Sequence, residues 1–126
     1  MKHLSLIITF ISITTFSAVA QVAAPPETAI QMETLLQATR DNDLAKFRSV
    51  CDENMKNAIT TEKLTQISNQ LSPAMKEGYK KVYLGVLQRG AAKTYLWKID
   101  LNKEGSPDLL AELSLIGGSV AGFLMR

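Results

Sequence analysis

The sequence predicts an α+β domain, with three N-terminal helices packed on one face of a curved four-stranded antiparallel meander. Two observations carry this. Apolar residues recur at helical spacing up to about residue 72, and from Lys80 the period changes to two. Gly117-Gly118 between two apolar runs then marks a tight hairpin, whose turn needs positive φ.

The chain opens with a basic head, Met1-Lys2-His3, an apolar run from Leu4 to Phe16, and an A-x-A site at Ala18-Val19-Ala20. This order predicts a signal peptide over 1–20, cleaved to leave Gln21 first, and export to the periplasm or medium. The apolar run is shorter than the ~20 residues of a spanning helix and is rich in Ser and Thr. No Cys follows it, so a lipid anchor is not indicated, and no later stretch is apolar enough to span a bilayer. Residues 21–26, "QVAAPP", read as a flexible leader, and 27–126 as the domain.

Pro26 followed by Glu27 suits a first helical turn, where Pro loses no hydrogen bond and Glu meets the positive dipole end. Ile30, Met32, Leu35, Leu36 and Thr39 give the stripe of a helix over 27–40. "RDND" interrupts it, and Asp41 or Asn42 can cap a second helix carrying Leu44, Phe47, Val50 and Cys51. That helix runs to about residue 51, with a short extension through Met55 to Ile59. Thr60 caps a third, with Leu64, Ile67 and Leu71 on one face, and Pro73 ends it near Ser72. Strands follow over 80–89, 93–101, 109–116 and 119–126. A two-residue Gly117-Gly118 turn places Leu115 opposite Val120, Leu113 opposite Gly122 and Ala111 opposite Leu124, an apolar face that meets the helices. Tyr95, Trp97, Ile99 and Leu101 match it on the second strand. The first strand is apolar on both faces and does not declare its inner side.

Composition excludes several chemistries. Removal of the first 20 of 126 residues leaves 106, with 13 basic and 12 acidic side chains in no single-sign run, which implies neither nucleic acid nor anionic membrane as partner. The one histidine, His3, lies in the leader, so the processed chain has no imidazole for Ser-His or Cys-His catalysis or for a zinc site. One cysteine allows no internal disulfide. Asp41-Asn42-Asp43 begins like a calcium loop, but the Gly and Glu needed at its sixth and twelfth positions are Lys46 and Asp52. Cys51 follows Phe47 on the apolar stripe and precedes Asp52 and Glu53, the setting of a buried, unreactive thiol. No metal or cofactor is expected.

The element order, "LLQATRDNDLAKFRSVCDENMKNAITTEKL", and the terminal "GGSVAGFLMR" hairpin resemble the nuclear transport factor 2-like superfamily. This is the cystatin-like cone shared with SnoaL-like cyclases, and the likeness is to a bacterial exported branch of unknown function. Enzymatic members use polar groups in the cone, often His-Asp or Tyr-Asp pairs. This chain lacks that His and shows no inner-face carboxylate, so the resemblance implies a non-catalytic relative. Its pocket would be lined by Tyr95, Trp97, Met75, Met32 and Leu36, suiting a small apolar ligand or leaving a protein partner to the sheet. The alternatives are a cyclase-like or isomerase-like enzyme working through Tyr hydroxyls and a structural homodimer. An open cone holding a buried polar group favours the enzyme, and a filled cone favours the structural module. Relatives dimerise through the sheet, and the hairpin register sends Ala121, Phe123 and Met125 outward beside Leu96 and Leu110, an apolar face needing cover.

Intact-mass analysis of the exported protein is expected to begin at Gln21. A full-length product held in the membrane would overturn the cleavage.

Overall fold

The computed structural model describes residues 23–126, so the expected signal peptide and cleavage site lie outside the described residues. Four helices precede a four-stranded sheet: α1 (Pro26–Asp41), α2 (Leu44–Arg48), α3 (Glu53–Ala58), α4 (Thr61–Met75), β1 (Tyr79–Arg89), β2 (Ala92–Leu101), β3 (Leu109–Ile116) and β4 (Ser119–Met125). The sheet is an antiparallel meander in the order β1-β2-β3-β4. Among the described residues, no helix is long and apolar enough to cross a membrane.

The α1–α2 corner rests on two adjacent residues. Asn42 takes the left-handed conformation, φ 52°, and its N–H bonds the Ala38 carbonyl, closing α1. Asp43 then caps α2, its carboxylate accepting from the Lys46 N–H at 3.0 Å. The cap is therefore Asp43 rather than Asp41 or Asn42, because Asn42 is occupied in ending the first helix.

The second expected helix is two. After Arg48 the chain swings to the sheet edge, where Asp52 N–H donates to the Val120 carbonyl at 2.8 Å and Val120 N–H to the Val50 carbonyl at 3.0 Å. These bonds make a parallel bridge between Cys51 and β4. Asp52 then caps α3 through Met55 N–H. Pro73 does not end α4 near Ser72, and the helix continues to Met75. The Asn69 carbonyl loses a helical partner but lies on an exposed residue. Ser72 Oγ bonds the Arg40 carbonyl at 2.7 Å and Met75 is buried, so tertiary contacts hold the last turn.

The hairpin turn is as expected: Gly117 and Gly118 have φ of 58° and 82°, and Leu115 pairs with Val120. One step on, an irregularity at Ala121 shifts the register, so that Ser114 faces Gly122, Leu113 faces Phe123 and Ala111 faces Met125. The expected pairs of Leu113 with Gly122 and Ala111 with Leu124 are therefore corrected. Phe123 and Met125 pack against the core on the helix side, with Phe123 edge-on to Phe47 at 6.0 Å, while Leu124 takes the outer face, 50% exposed. β1 has its own shift between Tyr83 and Gly85: Tyr83 pairs with Trp97, but Val86 pairs with Tyr95. Odd residues face the helices before Leu84 and even ones after it, so the strand is apolar on both sides.

Cys51 is buried in the corner, its thiol donating to the Phe47 carbonyl at 3.2 Å. Burial first, and Asp52 second, push its pKa up to about 11. Labelling of the native thiol by a disulfide reagent at neutral pH is expected to be slow. Cys51→Ala should cost about 1 kcal/mol through lost packing. Rapid labelling would contradict the burial.

Candidate functional site

The helix side of β2 presents Tyr95, Trp97, Ile99 and Leu101 in period-two order. The deeper part of this face is filled. Met32, Leu36, Met75 and Trp97 belong to one continuous core with Ile99 and Leu113, and Trp97 is only 3% exposed. Tyr95 lies further towards the first hairpin, half-buried. It stands 6.2 Å from Trp97 and 6.5 Å from Tyr83, and Tyr83 is 5.2 Å from Trp97. The three rings form a tilted cluster with Trp97 inward and both tyrosines outward.

Above this cluster the cone stays open. A cleft of about 620 Å³ lies between the start of α1 and the two hairpin turns, with Thr28, Lys93, Tyr95 and Leu115 among its walls. A second hollow of about 420 Å³ shares Pro25, Gln88, Lys93 and Tyr95 with it and adds Tyr83 and Val86. Of the five residues expected to line a pocket, only Tyr95 does so here. Met32, Leu36, Met75 and Trp97 lie in the packing beneath.

No inner carboxylate was expected, yet one is present on the helix side. Glu33, on α1, accepts from the Tyr79 hydroxyl at 2.9 Å and from Gln37 Nε2 at 3.0 Å, and pairs with Lys81. Gln37 in turn accepts from Lys46 Nζ at 2.7 Å. Burial alone would raise the Glu33 carboxyl, but hydrogen bonds from Lys81, Gln37 and Tyr79 outweigh it and hold the group below its ordinary value. Burial, then the bond to Glu33, pushes the Tyr79 phenol up, so Tyr79 is a fixed donor and not a base. Burial and nearby Tyr95 likewise raise the Tyr83 phenol. The missed signal was Glu33 and Gln37 one turn apart, facing Tyr79 and Lys81 at spacing two.

The outer sheet face has its own polar group. Glu112 is 8% exposed, between Arg126 at 3.2 Å and Arg89 at 3.9 Å, beside a Thr94–Ser114 hydroxyl pair at 2.9 Å. Leu96 and Leu110 are on this face, both half-buried, while Ala121 is the extra residue of the β4 irregularity. Among the described residues no group of three or more His, Cys, Asp or Glu could hold a metal ion.

No family profile and no curated protein sequence matches the chain. Solved structures do. An NTF2 variant superimposes with a TM-score of 0.50 at 14% identity, covering 79% of this chain and 97% of its own. The chain has the NTF2-like fold. A cystatin-fold protein from Novosphingobium aromaticivorans aligns with a TM-score of 0.41 at 13% identity, covering 77% and 95%. An NTF2-like protein of unknown function from Cytophaga hutchinsonii aligns with 0.39 at 14%, covering 83% and 93%. In this NTF2-like domain the cone is packed at depth and open at its mouth.

Because the Glu33 carboxyl is lowered on folding, its contribution is present above the ordinary value of 4.5 and lost as pH falls through the folded value. Glu33→Gln should lower the melting temperature at pH 7 and flatten its dependence on pH below 4.5 relative to wild type. Equal acid slopes in the two proteins would refute the strut.

Proposed function

We propose that this chain is an exported, non-catalytic binding domain that holds a small ligand with an apolar body at the mouth of its cone. The supporting observation is the 620 Å³ cleft above the Tyr83–Tyr95–Trp97 cluster. Its size suits a small molecule, and its walls set apolar Pro25, Pro26 and Leu115 beside polar Thr28, Gln88, Lys93 and Tyr95. Among the described residues neither the Tyr83 nor the Tyr95 hydroxyl has a hydrogen-bond partner, whereas that of Tyr79 is engaged by Glu33. The two free hydroxyls are available to orient a ligand. Export follows from the leader's order of basic head, apolar run and A-x-A site.

The reading as an isomerase-like enzyme has less support. The carboxylate on the helix side is paired with Lys81 and bonded to Tyr79, and the Tyr79 and Tyr83 phenols are raised rather than lowered. Neither supplies a base near neutral pH.

A second reading concerns the outer sheet face. Leu84, Leu87 and Leu124 are exposed there beside Leu96 and Leu110, so the covering partner is proposed to be a second copy of the chain. The corrected register makes Leu124, not Phe123, the residue to test. Leu124→Glu should shift a sedimenting dimer to monomer without unfolding it, and a monomeric wild type at micromolar concentration would dismiss this reading.

For the cleft, the neutral dye N-phenyl-1-naphthylamine is a direct probe. Its binding is expected to change the emission of Trp97, the single tryptophan, through the adjoining rings. Tyr95→Ala should weaken it about tenfold, the worth of one aromatic contact. Unchanged affinity in that variant would remove the cleft as the site.

A further inference from the structure

One lysine and an uncapped helix start face the cleft, and this narrows its ligand. We propose that the cleft takes a small amphiphile with an anionic head, a carboxylate or sulfonate on an aromatic or aliphatic body. The inference rests on the cleft being the binding site.

Lys93 lies in the wall of both hollows, and it enters none of the ion pairs among the described residues. Its ammonium is the one basic group lining them. Opposite it, α1 begins with no side-chain cap. Pro25 and Pro26 have no N–H, and Ala29 N–H already bonds the Pro25 carbonyl, so the N–H groups of Glu27 and Thr28 are left as the orphan donors of the helix start. Thr28 supplies an independent sign of a ligand. It is 3% exposed and lines the cleft, yet its hydroxyl has no hydrogen-bond partner among the described residues. Gln88 adds no free donor, since its amide already donates to the Gly90 and Ala92 carbonyls. The Gly118 carbonyl, at the far wall, is taken by Gln31.

An anion seated between Lys93 and the helix start would accept from the ammonium, the Thr28 hydroxyl and the two orphan N–H groups. Its body would lie on Tyr95, Tyr83, Val86 and Leu115. Glu27 is the one opposing group. It is exposed in the first turn of α1, where its carboxylate shares the positive helix end with any bound anion. Two charge changes at the cleft should therefore act in opposite directions, which loss of folding cannot imitate.

The test titrates the full chain with two dyes of similar body and different charge, 8-anilinonaphthalene-1-sulfonate and neutral N-phenyl-1-naphthylamine, at low salt where screening is weak. The sulfonate is expected to bind about tenfold tighter. Lys93→Met should weaken the sulfonate about fivefold or more and leave the neutral dye within about twofold, and Glu27→Gln should tighten the sulfonate about twofold to fivefold. If Tyr95→Ala weakens both dyes while the two charge variants do not separate them, the cleft stands and the anionic head is wrong. If Tyr95→Ala leaves both dyes unaffected, the cleft is not the site and the inference falls with it.

Discussion

Each edge strand of the sheet carries one residue more than its partner, and the packing of the helices follows from those two insertions. A bulge bends its strand and sharpens the local twist. At Leu84 it turns Val86 and Gln88 towards the helix side beyond Tyr83. At Ala121 it brings Phe123 and Met125 onto the face already started by Val120. Without the second bulge Phe123 would leave Phe47, and the α2 corner would lose its aromatic partner. The bent edges give the four strands the curvature that the helices fill.

Two polar clusters lie on opposite sides of that sheet. On the helix side Glu33 ties α1 to β1 through Tyr79 and Lys81. On the outer side Glu112 sits among leucines and is matched by two arginines, Arg89 at the end of β1 and Arg126 just past β4. Both carboxylates are partnered, as burial demands. The cleft differs: its hydroxyls, its lysine and the uncapped helix start have no partners among the described residues. That contrast separates groups that hold the fold from groups left for a ligand.

Fold class, strand order and the Gly117-Gly118 turn were legible in the sequence because each depends on local pattern. The stripe of Met32, Leu35, Leu36 and Thr39 is buried, though Ile30, assigned to it, is exposed. What could not be read was non-local. A bulge leaves no mark in alternation except an apparent loss of it, which is why β1 looked apolar on both faces and why the outer face was given Phe123 and Met125. The break after Arg48 depends on hydrogen bonds to Val120, far along the chain. Pro73 stays helical because Ser72 and Met75 are held from elsewhere. For the site, Tyr95 was found from parity, but the packed depth beneath it could be seen only once Met32, Leu36 and Met75 had neighbours.

The bridge between residues 50–52 and β4 also sets an order of assembly. It joins positions about seventy residues apart, so it closes only after the meander has brought Val120 into place. The hairpins close over short turns and α1 and α4 over local bonds, and these need no such wait. The corner that carries Cys51 therefore docks only after the last hairpin has formed. Hydrogen exchange at the amides of Asp52 and Val120 reads that order directly, and protection there equal to that of the central β2–β3 ladder would argue against it.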